Sequence, residues 1–422
     1  MNEKINEISK YNLWDGNSFP LGMKRHAYFD KIKDFLGNKL IKVLTGQRRA
    51  GKSFLLKQIA TYLIENKLNP KNILYINKEF LAFDFIKNYK DLQEIFQLYI
   101  KEIKPKGRVY ILIDEVQNIL EWEKFVNAYA QDFTENVELI ITGSNSKLLS
   151  GELATLLSGR YIEFEIFPYS YNEYLDITKG KKNRDSYLNF LNTGALPELF
   201  NLNSEDSKKQ YVASVKDTIL LRDIAHRRTI RDIKLLDDIF IYLVNNASNL
   251  LSITNIVNYF SSKKRKTSYD TIANYIEYIE ETFLIHKCER FNIKGKETIG
   301  GNAKFYVNDL AFKNYLFSGF SYGLGYLLEN AVYIDLLQKG YTVYTGNINN
   351  NEVDFVAQKD DNTIYIQCCY LLENKQTVER EYKAFEKIND NFNKYVISLD
   401  EAKLPSNKGI LHLQAWNLPQ EY

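Results

Sequence analysis

The chain has 422 residues, enough for two to four domains that each bury a core of their own. Its hydrophobic fraction of 45% and charged fraction of 26% are ordinary globular values, and a net charge of +2 confines any polyanion-binding surface to a local patch. The 3 cysteines, Cys288, Cys368 and Cys369, and the 4 scattered histidines lack metal-ligand spacing, which argues against a disulfide scaffold and a zinc module.

The polar start, Met1 to Glu7, lacks the apolar core of a leader, and no uninterrupted apolar run approaches the ~18 residues of a membrane span. A cytoplasmic location without a membrane partner is expected. Residues up to about Pro20 read as a loosely held extension, and an amphipathic helix follows around His26 to Leu36. Leu40 to Thr45 reads as a buried strand, and Phe54 to Leu63 carries helix-period apolar positions. Between them, Gly46-Gln47-Arg48-Arg49-Ala50-Gly51-Lys52-Ser53 matches every fixed position of the P-loop pattern, in the required order of strand, loop and helix. Gly46 and Gly51 permit backbone angles that aim successive N–H groups at a phosphate on the positive end of the helix dipole. Lys52 then reaches the β- and γ-phosphates and Ser53 ligates Mg²⁺.

A strand at Ile73 to Asn77 and a helix from about Lys90 to Ile103 come next, the helix ended by Pro105 and Gly107. The apolar strand Val109 to Ile113 runs straight into Asp114-Glu115, as a Walker B strand does. Asp114 is expected in the Mg²⁺ shell, and Glu115 is expected to orient and deprotonate the attacking water. After a helix around Trp122 to Phe133, the strand Val137 to Thr142 ends in Gly143-Ser144-Asn145. Ser144 or Asn145 is placed to sense the γ-phosphate, a plain turn being the other reading. A helix from about Lys147 to Leu157, the turn Ser158-Gly159-Arg160 and a strand Tyr161 to Ile166 complete five strands alternating with helices, hence a parallel, doubly wound α/β sheet.

The order GQRRAGKS, VYILIDEVQN, LIITGSNS, then LLSGRY followed by FPYSYNEYL resembles the AAA+ ATPases. More narrowly, the chain resembles a bacterial and archaeal group in which that core precedes a winged helix and a restriction-endonuclease-like domain of unassigned function. The likeness spans nearly the whole chain. It implies an AAA+ core over residues 1–175, a helical lid over 176–232, a winged helix over 233–310 and a nuclease-like α/β domain over 311–422. It also implies ATP and Mg²⁺ as cofactors, assembly into a homo-oligomeric, hexameric ring, and branched or duplex DNA as partner. Arg160 holds the place from which an arginine commonly acts in the neighbouring subunit's site; capping its own helix is the alternative. In Thr193-Gly194-Ala195-Leu196-Pro197-Glu198, Pro197 matches a turn that approaches the nucleotide base in related signalling ATPases, or is a simple helix breaker. The basic run Arg222 to Arg231 faces phosphates, a partner or solvent.

Three helices, Leu235 to Val244, one capped by Ser252 and one capped by Thr267 or Ser268, precede a strand pair, Phe283 to Phe291 and Lys304 to Val307, around a glycine-containing wing. The densest positive cluster, Lys263-Lys264-Arg265-Lys266, lies just before the third helix, where phosphate or major-groove contact is expected; protein docking is the other use of such a module. In the last domain, Glu329 on a helix and Asp354 on a strand match the acids of a metal-dependent nuclease site. Gln367 and Cys369 stand where an acid and a lysine belong, so cleavage is expected to be lost unless Glu379, Glu381 or Lys375 replaces them. The resulting expectation is an oligomeric ATPase acting on DNA or its repair intermediates, with a slow nucleotide switch in signalling or defence, or an ATP-gated nuclease, as alternatives.

Overall fold

Runs of apolar residues that must be covered on both faces become β1 (Ile41–Thr45), β2 (Ile73–Asn77), β3 (Val109–Asp114) and β4 (Val137–Thr142), with β5 (Tyr161–Glu165) less deeply buried. In the computed structural model, which describes residues 2–149, 157, 159–317, 323–349, 351–372, 374–420 and 422, these strands hydrogen-bond in the order β2-β3-β4-β1-β5. Every pairing is parallel. Val43 and Ile111 face one apolar cluster while Leu44 and Leu112 face another, so adjacent residues serve opposite sides of the sheet. Because β1 sits beside β4 and not beside β2, the loop after β1 opens next to the ends of β3 and β4, the switch-point position where α/β sheets bind ligands.

The first of two units, Met1–Ile166, contains this sheet. Its N-terminal segment is not loosely held. The helix Glu3–Ser9 buries Ile5 and Ile8, and Leu13 and Trp14 are buried beyond it. The Asn12 amide accepts from Tyr75 N at 2.7 Å and donates to Tyr75 O at 3.1 Å, while Trp14 Nε1 donates to Ile73 O at 2.6 Å. The reason is that β2 is an edge strand, and side chains of the extension satisfy backbone groups that would otherwise lie unpaired. The expected helix of 147–157 falls largely outside the described residues; Ser146–Leu149 forms a 3₁₀ turn.

The second unit, Phe167–Tyr422, begins with helices Tyr171–Thr178, Arg184–Thr193 and Glu205–Thr218. Ile233–Asn245, Ile253–Ser262 and Tyr269–Glu281 follow, the last two capped by Ser252 and Ser268 as expected. Then come β6 (Ile285–Asn292) and β7 (Glu297–Val307), an antiparallel pair, with an isolated bridge from Leu251 to Ala303 tying the helices to the hairpin. The helix Leu324–Gln338 leads to β8 (Thr342–Ile348), β9 (Asn351–Lys359), β10 (Asn362–Cys369), β11 (Asn393–Ser398) and β12 (Ile410–Gln414). The hairpin does not stand apart: β6 pairs in parallel with β8, giving one seven-stranded sheet in the order β12-β11-β10-β9-β8-β6-β7. One apolar cluster runs from Leu196 to Tyr315 and another joins Tyr187 and Leu191 to Tyr306, Leu328 and Trp416, so packing is continuous across residues 232 and 310.

Candidate active site

The P-loop leaves the fully buried β1 and enters the helix Lys52–Glu65. Gly46 has φ +131°, and a Cβ there would lie 2.2 Å from Ile166 O, so only glycine fits. Gly51, at φ +104°, starts the helix and turns its first N–H groups inward. Arg25, buried before the helix His26–Lys33, donates from Nη1 to Ala50 O at 2.8 Å and thereby holds the loop's crest. Of the loop side chains, Gln47 and Arg48 are buried and Arg49 is exposed. Arg48 Nη1 pairs with Glu79 Oε1 at 2.7 Å.

The Lys52 ammonium, 4% exposed, donates to Gly46 O at 2.8 Å and Gln47 O at 3.0 Å and stands 3.9 Å from Glu115 Oε1. Lys52 and Glu115 are therefore brought together. Asp114, at the end of β3, is fully buried. Its Oδ1 accepts from Thr142 Oγ1 at 2.6 Å, and its Oδ2 accepts from Asn77 Nδ2 at 2.9 Å and Tyr75 OH at 3.2 Å. Burial and the neighbouring Glu115 push its carboxyl up, opposed by hydrogen bonds from Thr142 and Ser53. Ser53 and Asp114 thus meet as hard oxygen donors beside the loop, a donor set that fits Mg²⁺.

Glu115 adopts the left-handed region, φ +57°, and its backbone N donates to Thr142 Oγ1 at 2.9 Å. That turn swings its carboxylate toward Lys52 and away from the strand axis. Oε2 accepts a short hydrogen bond from Gln117 Nε2 and another from Ser144 Oγ at 3.1 Å. Burial works against the ionised form, yet the charges of Lys52 and Arg48 and these two donors outweigh it and hold the carboxyl below its ordinary range. The arrangement favours an ionised carboxylate at the end of β3, beside the P-loop.

Of the two polar candidates after β4, Ser144 is buried and touches Glu115, whereas the Asn145 side chain accepts from Lys147 N at 2.7 Å and caps the following turn. Gln117, Thr142, Asn77 and Tyr75 complete the constellation and were not singled out from the sequence. The available signal was positional: Asn77 and Thr142 end apolar strands at the same edge of the sheet as Asp114.

Arg160 is half-buried and its carbonyl accepts from Ile41 N at 2.8 Å, opening the β1–β5 ladder. Pro197 belongs to the second unit and opens the 3₁₀ turn Pro197–Asn201. The preceding Gly194 has φ +78° with Asp309 Oδ1 at 2.4 Å from a notional Cβ; Asp309 in turn accepts from Ala195 N at 3.0 Å. In the basic run, Arg228 pairs with the buried Glu281 at 2.5 Å. Within the cluster 263–266, the Arg265 guanidinium pairs with Asp232 at 2.7 Å and with Asp238, two partly exposed acids. Lys264 and Lys266 are exposed, and Lys263 Nζ lies 5.9 Å from the Tyr259 ring centre.

The nuclease-like residues lie on the helix Leu324–Gln338, β9 and β10. Glu329 and Asp354 approach a common centre, but Gln367 Oε1 accepts from Asp354 N at 3.3 Å. Cys369 packs with Tyr365, Tyr382 and Val396 on one face of β10, the face that position 367 shares by the two-residue period, while Ile364 and Ile366 pack on the other. Glu381 is buried and bound by Arg380 at 2.6 Å.

A model of the AAA domain matches residues 38–175, and that of a domain of unknown function (DUF8612) matches residues 184–322. An uncharacterized protein of Haemophilus influenzae is 34% identical over 385 residues, covering 89% of this chain and 93% of that protein. One of Methanocaldococcus jannaschii is 34% identical over 381 residues, covering 86% and 82%. Among solved structures, a Walker-type ATPase of Pyrococcus abyssi aligns with a TM-score of 0.44 and 16% identity, over 72% of this chain and 99% of that one. The RuvB Holliday junction branch migration motor of Thermotoga maritima aligns with a TM-score of 0.33 and 15% identity, over 64% and 92%.

Proposed function

The chain belongs to the family of these Haemophilus and Methanocaldococcus proteins and carries an AAA domain, and from that premise we propose that it binds ATP with Mg²⁺ and hydrolyses it as an oligomer acting on DNA. The observation that carries the ATPase reading is the convergence of Lys52, Asp114 and Glu115 beside a left-handed, glycine-built loop. The loop N–H groups and Lys52 bind the phosphates, while Ser53 and Asp114 hold the metal, which supplies charge neutralisation on the phosphate oxygens. Glu115 orients the water and accepts its proton, and Ser144 and Gln117 set the direction of that carboxylate. Arg160 is proposed to complete the site of an adjacent subunit.

DNA as partner rests on our reading of the three helices and the β6–β7 hairpin as a winged helix, and on the exposure of Lys264 and Lys266 before the third helix. Among the described residues no helix is long and apolar enough to cross a membrane. A second reading, a nucleotide-dependent switch with slow hydrolysis, draws on the ion pair between Lys52 and Glu115, which holds the lysine back from a phosphate. Phosphate release measured with single-stranded, duplex, forked and four-way DNA separates the two. Severalfold stimulation by one DNA structure supports the DNA-coupled ATPase; tightly retained ADP and indifference to every DNA support the switch.

A further inference from the structure

Lys304, on β7, is 4% exposed, yet three acids surround its ammonium: Glu329 Oε1 at 2.9 Å, Glu352 Oε1 at 2.8 Å and Asp354 Oδ1 at 3.5 Å. The acids come from the helix Leu324–Gln338 and from β9. Glu329 Oε1 also accepts from Tyr306 OH at 2.7 Å, and Asp354 Oδ2 accepts from Cys368 N at 2.9 Å. The centre that a nuclease-like reading reserves for Mg²⁺ is therefore already filled by positive charge. We propose that the Lys304 ammonium is the resident cation of this centre, standing in for a divalent metal and tying the hairpin strand β7 to the helix and to β9.

Two properties of the site support this. The Lys304 ammonium reaches Glu329 and Glu352 at hydrogen-bond length and Asp354 as a longer ion pair, whereas Mg²⁺ needs about six oxygens at ~2.1 Å in near-octahedral geometry. A dication cannot enter the same shell without expelling the lysine, whose stem is enclosed. Charge and burial oppose one another at this centre. Burial drives Asp354 up to about 7, reinforced by Glu329 and opposed by Lys304, and the three acids overcome burial to hold Lys304 charged. The sequence pattern could not reveal this, because Lys304 lies far from the strand where a nuclease lysine is sought.

The test uses full-length protein, without nucleotide, titrated with Mn²⁺ and followed by electron paramagnetic resonance and thermal melting. Wild type and Asp354→Asn should bind the same number of Mn²⁺ ions. Lys304→Ala, which strands buried acids, should melt about 10 °C lower. It should also gain one Mn²⁺ per chain that raises its melting point, and lose that site again when Asp354→Asn is added. Lys304→Met, which keeps the apolar stem, serves if the alanine variant does not fold. The wild-type comparison stands by itself in either case: one Mn²⁺ fewer in Asp354→Asn would mean that a metal competes with Lys304 and would overturn the proposal. So would an unaltered melting point with no new site in a folded Lys304 variant, or metal-dependent DNA cleavage by wild type that disappears in Lys304→Ala.

Discussion

Replacing Glu115 by Gln separates the two jobs of the nucleotide site. The Glu115 carboxylate stands 3.9 Å from the Lys52 ammonium, and at an effective dielectric of ~20 such charges attract by at most about 4 kcal/mol. That attraction draws Lys52 toward the base and away from a phosphate, so removing it leaves ATP affinity unchanged or tighter. Gln at position 115 still offers a carbonyl oxygen to Gln117 and Ser144, which preserves the local turn. What it cannot do is accept a proton. Loss of a general base costs about 10²–10⁴-fold, or about 3–5 kcal/mol of transition-state stabilisation. Affinity from equilibrium dialysis of labelled ATP, beside kcat from phosphate release, gives the two quantities independently. Lys52→Ala is the counterpart and should abolish binding. Hydrolysis by Glu115→Gln at the wild-type rate would refute the assignment of Glu115, and a parallel loss of affinity would refute the view that Lys52 is held back by it.

Arg160→Ala should lower turnover by ~10³-fold or more with little effect on ATP affinity; mixing it with Glu115→Gln protein should recover activity at mixed interfaces, and no recovery after confirmed subunit exchange counts against action across subunits. Changing Lys263, Lys264 and Lys266 to Ala should weaken DNA binding about equally across sequences and flatten its salt dependence by roughly one slope unit per lost contact. Arg265→Ala should mainly destabilise the fold, because its partners Asp232 and Asp238 lose their counter-charge; equal DNA affinity in the triple variant would move this module to protein docking. His286 is driven down to about 4 by burial, against the hydrogen bond its ring N–H donates to Asn308 Oδ1. Its folded value lies below the unfolded ~6.5, so the unfolded chain binds the extra proton between those values and stability should fall as pH drops from about 6.5 toward 4. Urea midpoints across that window should slope less steeply in His286→Phe than in wild type, and identical slopes would contradict the assignment.

The sequence by itself determined the parts that depend on short stretches of chain. A P-loop needs glycine at Gly46 and Gly51 for local backbone reasons, with lysine and serine at the helix start, so eight consecutive residues carry the chemistry. An apolar strand ending in Asp114-Glu115 is legible for the same reason. Only the tertiary structure decided which polar groups meet them. Asn77 and Thr142 reach Asp114 because β2 and β4 flank β3, an adjacency that periodicity does not encode, while Gln117 reaches Glu115 through the turn that follows β3. Pairing also decided the N-terminal segment, whose Asn12 and Trp14 satisfy an edge strand that the one-dimensional pattern cannot identify as an edge. Lys304 is the extreme case. Its charge reads as a solvated strand residue until β6 joins β8 and carries β7 into the C-terminal sheet, where desolvation makes three acids and one ammonium group indispensable to one another.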